Sequence, residues 1–511
     1  MAALIREWIE RAAARRGADP YLSDARGPAT LSYAGLLDTV IDVERRLDAA
    51  GLPPGARIVV RLGEPVEYAT ALVAIVAAGR VAVPLDPGAP DRDVARVLGV
   101  ARPAAVVYRV DTDFRVDTDF RVDAAAGGDR GGLTGEATGP FGIAEFDFDV
   151  IDSVDPVGLV SATPATAEGG IFLCTSGTTG TPKGILLREE QLAHVASSVV
   201  ECHGLTAADR GYCSLPLFHV NAEVVGVLAT LRAGAQLALD RKFSRRGFWQ
   251  LISDRKITWI NAVPAIISIL AIDPPATRPA ALRFVRSASA PLPVAALEKF
   301  EGALGVPVVE TYGMTEAASM ITANPVDGVR KPGSAGRPAS AQVRIEAGGA
   351  AARPGQIGRV QIRGAGVITG YDSGGRPGVI DADGWLDTSD LGYLDADGYL
   401  FLVGRSDDVI NRGGEKIYPR EIEEILLAQP GVRSAAVVGA VDDVLGERPV
   451  AYVVTDAAMA DKVEAALSEA CAARLPRHKQ PSEFCIVAEM PLGPTGKISR
   501  QRLKDLVSAR S

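Results

Sequence analysis

The sequence predicts an α/β protein with a large, multi-sheet N-terminal domain that ends in a β-rich subdomain, followed by a small α+β C-terminal domain. From about residue 30 to 340, short apolar runs typical of strands alternate with helical patterns. Between residues 333 and 403, short strands are separated by Gly and Asp turns, which indicates a β-rich unit. The pattern changes again after Arg405, and 511 residues are enough for two or more structural units.

These changes of pattern set the predicted domain bounds. We place the N-terminal domain at 1–405, its β-rich subdomain at about 335–405, a hinge at 406–408 and the C-terminal domain at 409–511. In the C-terminal domain the predicted elements are helices 419–428, 459–474 and 499–508 and strands 434–440, 449–455 and 482–488.

Several elements of the N-terminal domain can be placed by their patterns. Met1–Arg16 has helical spacing, and Glu7 and Glu10 argue against a transit peptide, so we expect a first structural helix. The other predicted elements are a buried helix at 68–79, a strand at 81–85, strands at 171–173 and 185–187, and a helix from 189 through 200.

Composition narrows the class of protein. Apolar residues make up 47% of the chain and charged residues 23%, as in globular enzymes. The net charge of −9 gives no basic footprint for nucleic acid, and the longest apolar stretch is too short to span a membrane. Five cysteines without metal or disulfide spacing indicate buried thiols in a reducing compartment, so we expect a cytoplasmic protein.

A short duplication interrupts the α/β pattern. Residues 111–116 read Asp-Thr-Asp-Phe-Arg-Val, and residues 117–122 repeat them at once. Alternating polar and apolar residues could form a strand, but six residues are too few for a solenoid repeat. With the Gly-rich stretch 127–139 behind it, we interpret this segment as a duplicated surface feature without a functional role.

The most informative motif is a loop rich in Gly and Thr. It reads Thr175-Ser176-Gly177-Thr178-Thr179-Gly180-Thr181-Pro182-Lys183-Gly184 and lies between two apolar runs. Glycines let backbone N–H groups point inward, hydroxyls donate to phosphate oxygens, and Lys183 adds a positive charge. Together these groups predict a loop that cradles a polyphosphate. Pro182 replaces the second glycine of the P-loop pattern, so a different ATP-using machinery is implied.

Two further clusters suit the rest of a nucleotide. In Glu310-Thr-Tyr-Gly-Met-Thr-Glu316, Tyr312 could stack on a base, Thr315 offers a hydroxyl, and Glu316 is a natural Mg²⁺ ligand. Farther along, Asp390 can accept both hydroxyls of a ribose and Arg405 can donate to the same sugar.

Two glycine turns near the C-terminus carry charged residues. Residues 411–416 read Asn-Arg-Gly-Gly-Glu-Lys, and Lys497 lies at a loop tip in Leu492-Gly-Pro-Thr-Gly-Lys497-Ile-Ser-Arg500. By itself an isolated Gly-Lys pair is very weak evidence of function.

Taken in this order, the motifs resemble the adenylate-forming superfamily of acyl-CoA synthetases, carrier-protein adenylation domains and luciferases. The resemblance covers nearly the whole chain and includes Leu215-Pro-Leu-Phe-His219-Val and Ser287-Ala-Ser-Ala-Pro291-Leu. It implies ATP, Mg²⁺ and CoA as cofactor and co-substrates, and a C-terminal lid that rotates between two half-reactions.

The resemblance also implies residue roles. Thr175, Ser176, Gly177, Thr178, Thr179, Gly180 and Lys183 would hold the β- and γ-phosphates, and Ser289, Ala290, Pro291 and Tyr312 the adenine. Thr315 would contact the α-phosphate, Glu316 the magnesium, and Asp390 with Arg405 the ribose. Asp407 matches the hinge residue, and Lys497 the catalytic lysine that bridges carboxylate and α-phosphate. After rotation, the turn from Arg412 to Glu415 would replace Lys497 beside a pantetheine tunnel.

The acid pocket is less determined. The stretches 242–249, 258–264 and 286–292 look closest to the oxalyl-CoA synthetase branch, with 4-coumarate:CoA ligases more distant, but Ser319-Met320 stands where that branch carries His-Gln. Glu223 interrupts an apolar helix; it could pair with a substrate amine or with Arg286, or it could point to solvent or cap the helix. The candidate pocket residues are His219, Asn221, Glu223, Arg286, Gly313, Met314 and Ser319.

Several functions remain open at this point. The leading one is an ATP-dependent ligase that joins a small or aromatic carboxylic acid to CoA. Adenylation could instead serve a carrier protein or an amine, or activate nitrite to diazotise an aryl amine. A non-catalytic ATP sensor is disfavoured because Lys183, Glu316 and Lys497 are all present. The sequence does not decide between a monomer and a homodimer.

Overall fold

The computed structural model describes residues 4–110, 113–117, 169–175, 183–373, 378–456, 463–492 and 498–508. Most of the phosphate-loop prediction (176–182), Lys497 and most of the duplicated segment therefore lie outside the described residues. None of the described helices is long and apolar enough to cross a membrane.

The first part of the chain builds a six-stranded sheet and contributes two strands to a second sheet. Its elements are α1 Leu4–Arg16, β1 Pro20–Asp24, β2 Thr30–Ser32, α2 Tyr33–Ala49, β3 Arg57–Arg61, α3 Pro65–Ala77, β4 Val81–Pro84, α4 Asp91–Ala101, β5 Ala105–Val110, β6 Asp113–Asp117, β7 Gly170–Thr175, β8 Lys183–Arg188 and α5 Glu189–His203. The six-stranded sheet has the order β6-β5-β3-β4-β7-β8. In the duplicated segment, the described residues 113–117 form β6 antiparallel to β5.

The middle of the chain builds most of a nine-stranded sheet. Its elements are β9 Arg210–Cys213, a π-helix Asn221–Leu228, α6 Ala229–Ala233, β10 Gln236–Leu239, α7 Phe248–Asp254, β11 Trp259–Ala262, α8 Pro264–Ile272, β12 Phe284–Ser287, α9 Val294–Leu304, β13 Val308–Met314, a 3₁₀ turn Thr315–Ala317, β14 Ser319–Ala323 and β15 Arg337–Pro338. The strand order is β15-β14-β13-β12-β11-β9-β10-β1-β2, with a parallel centre as the α/β pattern predicts.

The predicted β-rich subdomain is a five-stranded antiparallel sheet. Its strands are β16 Gln342–Ala347, β17 Ala350–Ala351, β18 Gly358–Arg363, β19 Leu386–Leu394 and β20 Leu400–Arg405, in the order β17-β16-β18-β19-β20. A 3₁₀ turn, Ser406–Asp408, follows at the predicted hinge.

The C-terminal domain has its own sheet and helices. Its elements are β21 Ile410–Arg412, β22 Glu415–Ile417, α10 Pro419–Leu427, β23 Val432–Asp442, β24 Gly446–Thr455, α11 Val463–Arg474, a 3₁₀ turn Arg477–Lys479, β25 Glu483–Ile486 and α12 Arg500–Ser508. Alternate residues of β23 face opposite sides of this sheet: Val437 packs against α10 and α11, whereas Val438 packs toward α12.

The buried cores follow the same division. The largest cluster joins the two big sheets through α3, α5 and the π-helix, with Val73, Leu192 and Val227 among its members. Among the described residues, no core cluster mixes residues before Ser406 with residues after Asp408. The two domains meet through polar contacts, such as the 2.8 Å hydrogen bond that Arg420 Nη1 donates to the Leu402 carbonyl.

Candidate functional site

The candidate residues gather where the parallel strands of the nine-stranded sheet end. β9, β11, β12 and β13 run in the same direction, so their carboxyl ends lie along one edge. In open α/β sheets this edge is where ligands bind. Asn261 and Arg286 lie in register next to the ends of β11 and β12, and Met314 ends β13.

The predicted ribose pair is brought together with the predicted adenine contact. Asp390 and Arg405 are opposite each other in the β19–β20 pairing, and Arg405 Nη1 lies 3.3 Å from Asp390 Oδ1. The Tyr312 hydroxyl donates a 2.5 Å hydrogen bond to Asp390 Oδ2. Burial, and secondly the Asp390 carboxylate, raise the pKa of Tyr312 well above its usual value, so the phenol keeps its proton and remains a donor.

The predicted adenine segment follows β12 directly. Ser289, Ala290 and Pro291 are exposed, so this segment is open to a ligand. Ser289 has a φ of +74°, a left-handed conformation that turns the chain sharply after the strand. Asn221 Nδ2, at the start of the π-helix, donates a 3.3 Å hydrogen bond to Ser289 Oγ and ties this turn to the centre of the sheet.

A second group of side chains surrounds Glu316. The Tyr371 hydroxyl donates a 2.9 Å hydrogen bond to Glu316 Oε1, and Lys183 Nζ lies 5.3 Å from the centre of the Tyr371 ring. Thr315 and Glu316 lie in a 3₁₀ turn that ends at Ala317. Thr315 and Glu316 offer only oxygen donors, the ligands that Mg²⁺ prefers, so these residues fit a magnesium ion.

Gly313 explains why this turn can form. A Cβ at Gly313 would lie 1.5 Å from the Ser319 carbonyl oxygen, a distance that no side chain tolerates. Ser319 itself has a φ of +99°, so the chain turns back sharply between β13 and β14. The close approach of these strands places Thr315 and Glu316 at the crevice.

The first residue of the predicted phosphate loop is described together with its lysine. Thr175 ends β7 and pairs with Lys183, the first residue of β8, in an antiparallel ladder. The ends of the loop are therefore joined, and Lys183 is fixed on the side of Tyr371 and Glu316. The predictions for Ser176, Gly177, Thr178, Thr179 and Gly180 fall outside the described residues.

The predicted pocket contains a buried polar cluster. Arg286 is 1% exposed, and its Nη1 donates to Asn221 Oδ1 at 2.7 Å and to Asn261 Oδ1 at 3.0 Å. Arg286 Nε is buried without a hydrogen-bond partner, and Arg286 makes no ion pair with any described residue. His219 is half-buried, one turn before Asn221 and Glu223.

The structure excludes three of the alternatives that the sequence left open for Glu223, and its pairing with a substrate amine stays a prediction. It is fully buried, so it does not point to solvent, and both carboxylate oxygens lack a hydrogen-bond partner, so it neither caps the helix nor pairs with Arg286. Burial alone raises the pKa of Glu223 well above its usual value. The helix predicted here is a π-helix. Burial, and secondly the nearby Glu223 carboxyl, raise the pKa of Tyr68 in α3 well above its usual value.

The predicted hinge and the C-terminal turn are both accessible. Asp407 is exposed in its 3₁₀ turn, and the adjacent Asp408 lies 3.3 Å from Arg500 of α12. In the β21–β22 turn, Gly413 and Gly414 have φ values of +59° and +87°, which glycine adopts without strain. Lys497 falls outside the described residues.

Two residues of the site were not found from the sequence. Tyr371 lies in an irregular segment, and only its position one residue after a glycine distinguishes it. Asn261 is a single amide in the otherwise apolar strand β11, a pattern that gives no sign of its contact with Arg286.

Family models match this arrangement. Residues 9–372 match the model described as AMP-binding enzyme, and residues 421–497 match the model described as its C-terminal domain. The chain belongs to the AMP-binding enzyme family. The predicted adenylate-forming resemblance is therefore confirmed.

The curated relatives that the chain matches include CoA ligases. The chain is 37% identical over 504 residues to sulfoacetate–CoA ligase of Cupriavidus necator, an alignment that covers 95% of this chain and 94% of the relative. It is 38% identical over 344 residues to oxalate–CoA ligase of Arabidopsis thaliana, covering 65% of this chain and 66% of that protein.

Solved structures match the whole fold. ATP-bound MatB from Rhodopseudomonas palustris has a TM-score of 0.79 at 26% identity and covers 98% of both chains. o-Succinylbenzoate CoA synthetase from Bacillus subtilis with its acyl-adenylate intermediate has the same TM-score, identity and coverage. The fold class predicted from the sequence is confirmed.

Proposed function

We propose that this protein is an ATP-dependent ligase that activates a small or aromatic carboxylic acid as an acyl adenylate and transfers the acyl group to CoA, releasing pyrophosphate and AMP. The family and the full-length CoA-ligase relatives support this class of reaction. The observation that carries the proposal is that the Tyr312–Asp390–Arg405 group and the Lys183–Tyr371–Glu316 group are both anchored on β13 and the turn that follows it. The neighbouring strand β12 carries the buried Arg286.

The first half-reaction explains the need for positive charge. A carboxylate oxygen attacks the α-phosphorus of ATP, the bond to the bridging oxygen breaks, and pyrophosphate leaves with that electron pair. Negative charge accumulates on the phosphate oxygens, so Lys183 and, in our proposal, Lys497 stabilise it. A magnesium ion bound at Glu316 would supply further charge neutralisation. Losing one such positioned charge costs on the order of 10²–10³ in rate.

Nucleoside binding is assigned to the first group of residues. Asp390 presents carboxylate oxygens to the ribose hydroxyls, and Arg405 and Tyr312 hold that carboxylate from two sides. The exposed turn Ser289–Pro291 offers an edge for adenine, which supports the predicted role of these residues.

The second half-reaction needs a thiol. The sulfur of CoA attacks the acyl carbon, AMP leaves with the electron pair of the acyl–oxygen bond, and the thiol proton passes to solvent. A dry channel protects the adenylate from water. We propose that the C-terminal domain rotates about Asp407 to exchange Lys497 for the Arg412–Glu415 turn. Separate cores and a short exposed connector support that rotation.

The cysteines and the net charge bear on the compartment and the partners of the enzyme. None of the five cysteines, all of which the structure describes, forms a disulfide bond, which supports a reducing compartment such as the cytoplasm. The net charge of −9 supports small-molecule partners rather than nucleic acid. Size-exclusion chromatography would decide between a monomer and a homodimer.

A substrate panel tests the proposal. The protein is incubated with Mg-ATP and small and aryl acids, with and without CoA, and pyrophosphate and product mass are measured together. We expect pyrophosphate, AMP and a thioester whose mass equals that of the acid plus that of CoA minus one water. A thioester with a carrier protein only, or pyrophosphate release that needs nitrite and an aryl amine but no thiol, would overturn CoA as the acceptor.

A further inference from the structure

Arg286 is a buried cation without a counter-ion among the described residues. Its guanidinium is held by two neutral amide oxygens, of Asn221 and Asn261, rather than by a carboxylate. Burial lowers the pKa of Arg286 only to about 10, so it stays charged at neutral pH. A buried charge without a partner costs free energy, and natural proteins normally compensate such a charge.

The groups around Arg286 do not supply the missing charge. Burial raises the pKa of Cys202 to about 12 and that of Cys213 to about 11, so both thiols stay protonated. Burial lowers the pKa of His203 to about 3, so its ring is neutral. Neither carboxylate oxygen of Glu223 bonds Arg286, and burial raises the pKa of Glu223 well above its usual value. The cluster therefore carries a net positive charge.

Arg286 is connected to the crevice. Asn221 accepts from Arg286 Nη1 and donates through Nδ2 to Ser289 Oγ, and Ser289 is exposed beside the proposed adenine segment. Arg286 Nε is left without a partner. A planar guanidinium donates two parallel N–H bonds to a carboxylate or sulfonate, so an anionic group on this side of Arg286 would satisfy the unpaired Nε–H.

We propose that the acid carries a second anionic group, a carboxylate or a sulfonate, and that Arg286, positioned by Asn221 and Asn261, binds that group while the first carboxylate is adenylated. This inference rests on the proposed function. The relatives named for sulfoacetate and oxalate act on acids with two anionic groups, which is consistent with it.

The first test compares acids of one shape and different charge on the wild-type protein. The pairs are succinate with its monomethyl ester, sulfoacetate with methylsulfonylacetate, and isophthalate with its monomethyl ester. We expect kcat/KM for pyrophosphate release to be about 10²-fold higher for at least one dianion than for its partner. The sulfonate and carboxylate pairs distinguish the two anionic groups. Equal values within every pair would overturn the inference.

Variants test the role of Arg286. Arg286→Met keeps much of the side-chain length but removes the charge. Arg286→Lys keeps the charge but removes the two parallel N–H donors of the guanidinium. The control, Arg283→Met, removes a nearby arginine that is paired with Asp209. We expect Arg286→Met to lower kcat/KM for the preferred dianion about 10²-fold and to change the monoester by less than about threefold. An equal loss for both acids would assign Arg286 a structural role and contradict the inference.

Binding without ATP gives an independent measurement. The preferred dianion should raise the melting temperature of wild-type protein and of Arg283→Met, but not that of Arg286→Met. Failure of the proposed function looks different: no acid of any charge would then give pyrophosphate with AMP. If monoanions give thioesters as efficiently as dianions, the ligase stands and only the present inference fails.

Discussion

The Tyr312 hydroxyl donates a 2.5 Å hydrogen bond to Oδ2 of Asp390, which joins the central sheet to the β-rich subdomain at the candidate nucleotide site. These residues are far apart in the chain, on β13 and β19. The other carboxylate oxygen, Asp390 Oδ1, accepts from Arg405 Nη1. The single carboxylate is therefore oriented from two sides. Such orientation by neighbours lets a short side chain present fixed acceptors to a sugar.

Replacing Asp390 should weaken nucleotide binding. We expect Asp390→Ala to raise the KM for ATP about 10- to 100-fold, because hydrogen bonds to a charged acceptor are lost, while the KM for the acid changes little. Steady-state kinetics with ATP and acid varied in turn would measure both. The control is Asp397→Ala, an exposed aspartate that pairs with Lys331 outside the site. A rise in both KM values would contradict a ribose-specific role.

Removing the Tyr371 hydroxyl should affect the metal-dependent step. Tyr371→Phe keeps the ring that Lys183 approaches and deletes only the hydrogen bond to Glu316. We expect kcat to fall about 3- to 30-fold and the Mg²⁺ concentration for half-maximal rate to increase. Tyr393→Phe, in which the stacked pair with Phe401 is preserved, is the matched control. If the dependence of the rate on Mg²⁺ did not change, the Tyr371 hydroxyl would have no part in positioning Glu316 for the metal.

Adding a methyl group at Gly313 should disrupt the Thr315–Glu316 turn. The new Cβ would collide with the Ser319 carbonyl, so the strands must separate and displace the turn. We expect Gly313→Ala to lose about 10²-fold or more in adenylation rate, because a shift of about 1 Å suffices for that. Gly302→Ala, in helix α9 with nothing near its Cβ, should be neutral or stabilising. Normal turnover by Gly313→Ala would contradict the close approach of Gly313 to the Ser319 carbonyl.

The buried Glu223 should make stability depend on pH. Because burial raises its folded-state pKa well above the unfolded value, the folded protein holds a proton that the unfolded chain releases. Stability is therefore fully present below the unfolded pKa, near 4.5, and falls as pH rises toward the folded pKa, by about 1.4 kcal/mol per pH unit.

Glu223→Gln removes this proton release while it keeps the shape. We expect its melting temperature to exceed that of wild type at pH 8, with a difference that shrinks toward pH 5, at one fixed scan rate. Glu298→Gln, on the surface of α9, should show no such trend. A constant difference across this pH range would mean that Glu223 is ionised with a partner in the folded protein.

The sequence predicts much of this fold because its patterns are local. Apolar runs predict the strands. The charged motifs and their order led to the prediction that Asp390 and Arg405 share one sugar, and the structure places these two residues opposite each other in the β19–β20 pairing. The π-helix could not be predicted, since residues 221–228 are all buried and their pattern has no polar face that would reveal the period.

The polar cluster depends on information that a sequence pattern does not contain. Asn261 meets Arg286 because β11 and β12 are parallel and in register, and Asn221 joins them only because the π-helix begins above these strands. Likewise Tyr371 reaches Glu316 across 55 positions of sequence through a segment without regular structure. These contacts depend on how segments distant in the sequence are aligned in the fold. The motifs with charged residues in glycine turns are continuous in the sequence, so they could be recognised without the fold.

In the proposed first half-reaction, a carboxylate oxygen of the acid attacks the α-phosphorus of ATP. The direct measurement uses the preferred acid labelled with ¹⁸O in its carboxylate, Mg-ATP and CoA, followed by mass spectrometry of AMP, pyrophosphate and the thioester. We expect one ¹⁸O in the phosphate of AMP for each thioester formed and none in pyrophosphate. Label in pyrophosphate or in free phosphate, or unlabelled AMP beside a thioester, would contradict it.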